Sequence, residues 1–442
     1  MLTRDEILKT LKSEHVAYLR LWFSDIMGQN KNVEVPASQF EKALDGQILF
    51  DGSSIQGFSR IEESDMLLSP DYSTFRIFPW YEHGGKVAVI ICDVCKPDGA
   101  PFIGCPRSIL KKMCEKAEKM GYIMNAGPEA EFFLFEKDSD GKVTTKTNDA
   151  GSYFDLTPVD RAEDTRRMIV QALEQLGFEV EAAHHEVAVG QHEIDFKYSD
   201  ALHTADNISI FRFVVRKVAL DCGLHATFMP KPVYGISGSG MHTNQSLSTL
   251  DGENAFYDPN GKFELSEIAL HYIGGLLTHV KGFCAITNPI VNSYKRLVSG
   301  FEAPTDIVWA VKNRSPLIRI PARRGSGTRA ELRSPDPSCN PYLAMAAMLA
   351  AGLDGVEKQI NPGEPVNRNI YKMNSDERKE HHIESLPIDL SEAIDYLEKD
   401  TLIRETLGDH VLDQYITAKR KEWFQYITQV HQWELDEFLS RY

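Results

Sequence analysis

The spacing of apolar and polar positions changes period many times along the chain, and each change marks an element. Residues 4–14 read as a first helix, followed by a strand at "AYLRLWFSD". Further strand-like stretches cover 75–80 and 87–94. The Pro- and Gly-rich segment "KPDGAPFIGCP", residues 96–106, reads as a domain boundary. A helix follows in "RSILKKMCEKAEKMGY", with apolar residues at 109, 110, 113, 117 and 120 and a Gly stop at 121. Strand signals recur near 129–135, 178–186 and 191–197, with helix signals at 161–176 and 206–222.

"NPYLAMAAMLAAGLDGVEKQI" is apolar nearly all round and predicts a buried helix. The C-terminal stretch "AKRKEWFQYITQVHQWELDEFLSRY" predicts one aromatic-rich amphipathic helix. This order fits an α+β chain, with a small N-terminal α/β domain and a large α+β domain behind it.

Composition narrows the classes. The chain has 442 residues, 42% of them hydrophobic, enough to bury a sizeable core. Its net charge of −16 argues against nucleic acid or an anionic membrane as the main partner. The N-terminus is charged and amphipathic, unlike a signal peptide, and the longest apolar run, "YLAMAAMLAAGL", is too short to span a bilayer. A soluble, cytoplasmic protein is expected. Cys92 and Cys95 form a C-x-x-C within a predicted strand, which sends them to opposite faces, and no second such pair completes a zinc site. The seven cysteines are expected to be reduced thiols.

Chemistry enters at "GPEAEFFLF", where Glu129 and Glu131 interrupt an apolar run. On one strand they share a face, roughly 7 Å apart at Cα. Two such charges about 6 Å apart repel by roughly 3 kcal/mol at an effective dielectric near 20. A second acidic pair, Glu186 and Glu193, lies in "HHEVAVGQHEIDF", where Val-Gly-Gln reads as a turn joining two strands. His242 in "SGSGMHTNQSL" and Glu331 in "RAELRSPDP" complete the set. Any one of these glutamates alone reads as a solvated strand face; two acidic pairs on separate strands do not. Oxygen-rich ligation of this kind suits Mg²⁺ or Mn²⁺, and two such ions would cancel the repulsion.

The segment from Tyr294 to Arg333 is positive. Lys295, Arg296, Lys312, Arg314, Arg319, Arg323, Arg324, Arg329 and Arg333 are opposed only by Glu302, Asp306 and Glu331. Guanidinium forks beside divalent ions make a phosphoryl-transfer site. The glycine-rich "GISGSGMH" lacks a Walker lysine and is weak alone. "LFDGSSIQGF" reads locally as a turn and cap at Asp51, and "LVSGFEAPTD" as a loop carrying Glu302.

Taken together, "FDGSSIQGF", "GPEAEFFLF", "HHEVAVGQHEID", "GSGMHTNQSL", "NSYKRLVSGFEAP", "NRSPLIRIP" and "AELRSPDPSCNPYLA" resemble the bacterial type I glutamine synthetases from end to end. The resemblance implies an N-terminal β-grasp domain over residues 1–104 and a catalytic domain over 105–442. It implies a homo-dodecamer of two hexameric rings with active sites between subunits. It implies ATP-dependent joining of L-glutamate and ammonium through γ-glutamyl phosphate, with ATP as co-substrate and two Mg²⁺ or Mn²⁺ ions per site. Glu131, Glu186 and Glu193 would hold one ion, and Glu129, His242 and Glu331 the other. Arg296, Arg314, Arg333, Ser237 and Gly238 would lie against glutamate. Arg314 and Arg319 would face the phosphates, with Glu181 and Ser246 near the nucleotide. Glu302 would shield the intermediate, Asp51 would reach a neighbour's ammonium site, and Arg60 matches a position tied to feedback control. A nitrogen-responsive transcription regulator is a further expected partner.

The family usually carries Asn where this chain has Ser237, and Tyr371 lies near where some relatives are adenylylated, in a different motif, so no adenylylation is expected. Two other readings share these residues: a γ-glutamyl ligase for another amine, and a regulatory homologue with little catalysis. Asp51 favours ammonia over other amines, and the intact metal and arginine positions favour catalysis.

Overall fold

The computed structural model describes residues 2–55, 57, 64–82, 84–311, 315–367, 373, 378 and 383–442. The N-terminal part runs α1 (Arg4–Ser13), β1 (Val16–Ser24), β2 (Asn30–Pro36), α2 (Phe40–Leu44), β3 (Ile48–Asp51), β4 (Asp65–Pro70), β5 (Arg76–Glu82) and β6 (Gly85–Cys95). Its six strands form one sheet in the order β2-β1-β6-β4-β3, with β5 also paired to β6. The pair β1 and β6 is parallel.

The near-continuous apolar run of β6 follows from burial on both faces. Ala88, Ile90 and Val94 join Leu19 and Leu21 under Ile7 and Leu11 of α1 and Phe40 of α2. Val87, Val89 and Ile91 point the other way with Trp22, into the main core of the chain. The sheet is thereby packed against the rest of the molecule. Arg107 fastens the junction, with Nη2 2.7 Å from Asp71, Nη1 3.0 Å from Asp93 and Nη2 2.8 Å from Asp206.

The remainder begins with α3 (Pro106–Lys119), which has proline in its first turn, where a missing N–H costs nothing. There follow β7 (Tyr122–Ala130), β8 (Phe132–Glu136), α4 (Glu163–Gln175), β9 (Val180–His185), β10 (Gln191–Phe196), β11 (Ser199–Asp200), α5 (Ala201–Asp221), β12 (Leu224–Thr227) and β13 (Met241–Thr249). Then come α6 (Glu267–Thr287), α7 (Ser293–Arg296), β14 (Trp309–Val311), β15 (Ile318–Ile320), β16 (Ala330–Leu332) and α8 (Pro341–Lys358). The chain closes with α9 (Leu390–Lys399), α10 (Thr401–Leu407), α11 (Asp409–Ile427) and α12 (Gln432–Phe438). The strands form a four-stranded sheet, β12-β8-β10-β9, and a six-stranded sheet, β11-β7-β13-β16-β15-β14.

Helix α8 is buried from Pro341 to Gly355, as its all-round apolar sequence requires. His279 of α6 clamps it to the C-terminal helices, with Nε2 3.1 Å from Asp354 and Nδ1 2.9 Å from Asp400. All seven cysteines are free thiols; Cys114 and Cys222 are half-buried and the others buried.

Two expectations are corrected. Glu129 and Glu131 do not share one strand, because β7 ends at Ala130 and β8 opens at Phe132 in the other sheet. Ala130 is the last residue of β7 to find a partner, Met241 at the start of β13, and from residue 132 onward the pairing is with β10 and β12. The expected single C-terminal helix is two. Thr428, a β-branched residue, caps α11, and His431 starts α12 with a capping box to Glu434. No residue of α12 is buried, and Trp433 stands 65% exposed.

Candidate active site

The change of sheet at Glu131 places one cavity, of about 360 Å³, between the ends of both sheets. On its six-stranded side Glu129 of β7 and His242 of β13 line it, and the fully buried Glu331 of β16, the next strand, stands beside them. Register pairs His242 with Glu129 and Asn244 with Glu331. The imidazole Nδ1 lies 3.5 Å from Glu129 and 3.9 Å from Glu331. One ligand atom from each of these residues lies within 4.8 Å of the others, so the set can hold a single ion. Burial, reinforced by the Arg333 charge, keeps the His242 imidazole far below its ordinary value, so it offers a lone pair at neutral pH.

The four-stranded side supplies Glu186 and Glu193 through the β9–β10 hairpin, whose turn closes with Glu186 N–H donating to the Gln191 carbonyl at 2.8 Å. Glu131, Glu186 and Glu193 all line the cavity, but among the described residues the three do not form one tight group. Glu131 accepts from Gly240 N–H at 3.0 Å and from Gln191 Nε2 at 2.9 Å. Glu186 accepts from Val187 N–H at 3.0 Å. His184 stands between Glu193, 3.1 Å from Nε2, and Glu186, 3.5 Å from Nδ1. The tight group containing Glu193 is made with His184 and Asp195.

These carboxylates are crowded and desolvated. Burial, then Glu193 and Glu186, pushes Glu131 well above the usual carboxylate range. Burial, then Asp195, does the same to Glu193. Asp195 is raised to about 7 by burial and then by Glu129. Burial also raises Glu186. Such a set of oxygen donors with unneutralised charge fits a hard divalent cation.

Cations border the same cavity. Arg296 of α7 is buried, donating to the carbonyls of Ser334 at 2.7 Å and Arg333 at 3.1 Å. Glu331 is fully buried between Arg319 and Arg333, paired with both. Beside Arg296, positions 238 and 240 have no room for a side chain. A Cβ at Gly238 would lie 2.2 Å from the Pro230 carbonyl, and one at Gly240 2.5 Å from Arg296 Nη2. Ser237 lines the cavity half-buried, and Glu302 lines it from an exposed loop at φ 60°.

A second cavity, of about 380 Å³, adjoins the first through Glu129 and Asp195, which line both. Glu181 and Ser246 border it, as do Asn254, Arg323 and Arg329. Asp51 lines neither cavity. It is exposed at the end of β3, where bonds from Ser53 hold its carboxyl below the usual range. Arg314, Arg60 and Tyr371 lie outside the described residues.

Sequence reasoning missed His184, Gln191 and Asp195. The signal was present: on alternating strands, His184 shares a face with Glu186, and Asp195 with Glu193. Behind them, His185 Nδ1–H donates to the Glu186 carbonyl at 2.6 Å, and its Nε2 lies 3.1 Å from Asp149.

An acid-lined cavity that fits divalent metal, bordered by arginines and joined to a second cavity, has the make-up of a phosphoryl-transfer site. The sequence model "Glutamine synthetase, beta-Grasp domain" matches residues 15–97, and "Glutamine synthetase, catalytic domain" matches 103–438. The chain is 60% identical over 444 aligned positions to the glutamine synthetase of Thermus thermophilus, covering 100% of this chain and 99% of that one. A solved GmaS/ADP complex superposes with a TM-score of 0.89 at 34% identity, over 98% of this chain and 99% of that one. A Plasmodium falciparum glutamine synthetase does so at 0.87 and 26%, over 99% of each chain. The chain belongs to the glutamine synthetase family and is an enzyme of that glutamate–ammonia ligase class. The family uses ATP and a divalent metal, and among the described residues no helix is long and apolar enough to cross a membrane.

Proposed function

We propose that this chain condenses L-glutamate with ammonia in the first cavity, driven by ATP seated in the second. The supporting observation is that Glu129, Glu131, Glu186, Glu193 and His242 line one cavity with Arg296, Arg319 and Arg333, and that it adjoins the second cavity, bordered by Glu181 and Ser246. A carboxylate is a poor electrophile, so its γ-oxygen first attacks the terminal phosphorus of ATP and ADP leaves. Ammonia then attacks the acyl carbon of γ-glutamyl phosphate, and phosphate leaves.

Two Mg²⁺ or Mn²⁺ ions, held by Glu131, Glu186 and Glu193 and by Glu129, His242 and Glu331, would neutralise the acid cluster and offset charge on the transferring phosphoryl group. Arg319 and Arg314 stabilise that group from the protein side. Arg296, Arg333 and the Gly238 backbone orient glutamate, with Ser237 beside it. Glu302 covers the intermediate against water and, with Asp51 of a neighbouring subunit, takes a proton from ammonium. A shared site of this kind implies a closed ring, and we assign two hexameric rings. The chain divides into residues 1–104 and 105–442, works in the cytoplasm, answers to feedback at Arg60, and meets a nitrogen-responsive transcription regulator.

Phosphate release with ATP, glutamate and a panel of amines tests the reading. Ammonium should support the fastest release; release that depends on another amine would make the enzyme a ligase for that amine instead.

A further inference from the structure

We propose that a third cavity, set between the β1–β2 turn, α5 and the loop entering α8, binds a small carboxylate or phosphate anion. It measures about 400 Å³ and shares no lining residue with the two cavities described above. Among the described residues none that lines it is acidic, while Arg212 and Arg216, one turn apart on α5, both do.

Arg212 is buried, at 8% exposure. Its Nη1 donates to the carbonyls of Pro337 at 3.0 Å and Cys339 at 2.9 Å. Among the described residues Nη2 and Nε make no hydrogen bond, and the side chain forms no ion pair. Asp336, next along that loop, spends its carboxylate on Ser338 N–H at 3.0 Å and Asn288 Nδ2 at 3.1 Å. Arg216 is solvent-accessible and lies 5.3 Å from the centre of the Phe228 ring, again with no carboxylate partner among the described residues. The Thr227 hydroxyl accepts from Met229 N–H at 3.1 Å, which leaves its own proton to donate.

Arg212 shares with Arg296 of the first cavity the state of a buried guanidinium bonded only to carbonyls, and most other buried arginines differ. In a chain of net charge −16, Arg107, Arg166 and Arg319 are each paired with carboxylates. A buried guanidinium without a counter-charge is costly. Burial pulls Arg212 down to about 10, and the charge of Arg216 adds to that penalty. An anion between the two forks would relieve both, accepting paired hydrogen bonds from each. The volume is that of a small-molecule site.

The test uses the full-length protein in its solution assembly. Thermal denaturation is followed against inorganic phosphate and against succinate, for wild type, Arg216→Gln, Arg216→Lys and Arg319→Gln. At least one probe should raise the wild-type Tm saturably. Arg216→Gln should raise the half-saturating concentration about tenfold or more, and Arg216→Lys by less, since lysine keeps the charge without the fork. Arg319→Gln, in the first cavity, should retain the Arg216-dependent response. A response to phosphate alone identifies a phosphate ligand, and one to succinate alone a carboxylate. No saturable response to either probe, a response equal in wild type and Arg216→Gln, or one abolished by Arg319→Gln would each overturn the proposal.

Discussion

Glu129 and His242 are direct partners across β7 and β13, with the imidazole Nδ1 3.5 Å from a carboxylate oxygen. Backbone register therefore holds two of the proposed ligands in place before any ion arrives. Glu129 also accepts from Asn244 Nδ2 at 2.9 Å, a bond that glutamine at 129 can still accept. Glu129→Gln should lower activity by about 100-fold or more while shifting Tm by no more than about 2 °C. A Mn²⁺ titration should show a weakened or missing binding step. Wild-type activity at ordinary Mg²⁺ would remove Glu129 from the site.

Asp51 lines neither cavity, and its exposed position at the end of β3 suits service to another subunit. Asp51→Asn should be nearly inactive at limiting ammonium. Co-assembled in equal amounts with the inactive Glu129→Gln chain, it should recover about one quarter of wild-type activity, since random neighbours rebuild that share of the sites. Hybrid activity no greater than the sum of the two parents would mean that Asp51 does not act across subunits.

Ser237 lines the first cavity with no hydrogen bond on its hydroxyl among the described residues. An asparagine there reaches further and offers both donors and an acceptor. Ser237→Asn should lower the glutamate KM by up to about tenfold and leave the ATP KM unchanged. Paired substrate titrations check this; an unchanged glutamate KM would assign affinity to the Gly238 backbone alone.

Much of this arrangement was legible in the sequence because carboxylates inside apolar strands are rare enough to stand out. Glu129, His242 and Glu331, singled out by their motifs and grouped by the family resemblance, come together on adjacent strands. The break between Glu129 and Glu131 was not legible, because a change of sheet leaves no mark on an apolar run and depends on where β13 begins. His184 and Asp195 were hidden by their stronger acidic neighbours, although alternation alone placed them on the same face. The break between α11 and α12 rests on a capping box within a continuous amphipathic pattern. The double burial of β6 was visible as an unbroken apolar run, but its partners lie far off in sequence.

His279 gives stability a pH dependence of known sign. Burial lowers its affinity for a proton, but the bonds to Asp400 and Asp354 outweigh burial and leave it raised. The stabilisation is therefore complete below the unfolded histidine value of about 6.5 and is lost as pH rises through the higher folded value. His279→Gln should destabilise the protein by about 1–3 kcal/mol near pH 6, and by less as the solution becomes alkaline. Tm measured against pH for both proteins checks it. A constant gap across the range would show that His279 carries no charge in the fold.

The most direct measurement follows an oxygen atom. Glutamate labelled with ¹⁸O in its γ-carboxylate is turned over with ATP and ¹⁵N-ammonium, and the phosphate and amino-acid products are weighed by mass spectrometry. If the γ-carboxylate attacks ATP and ammonia then displaces phosphate, each phosphate carries one labelled oxygen and each glutamine one ¹⁵N amide. Phosphate without ¹⁸O, or ATP consumed with no labelled glutamine, would contradict a γ-glutamyl phosphate made and captured in this cavity.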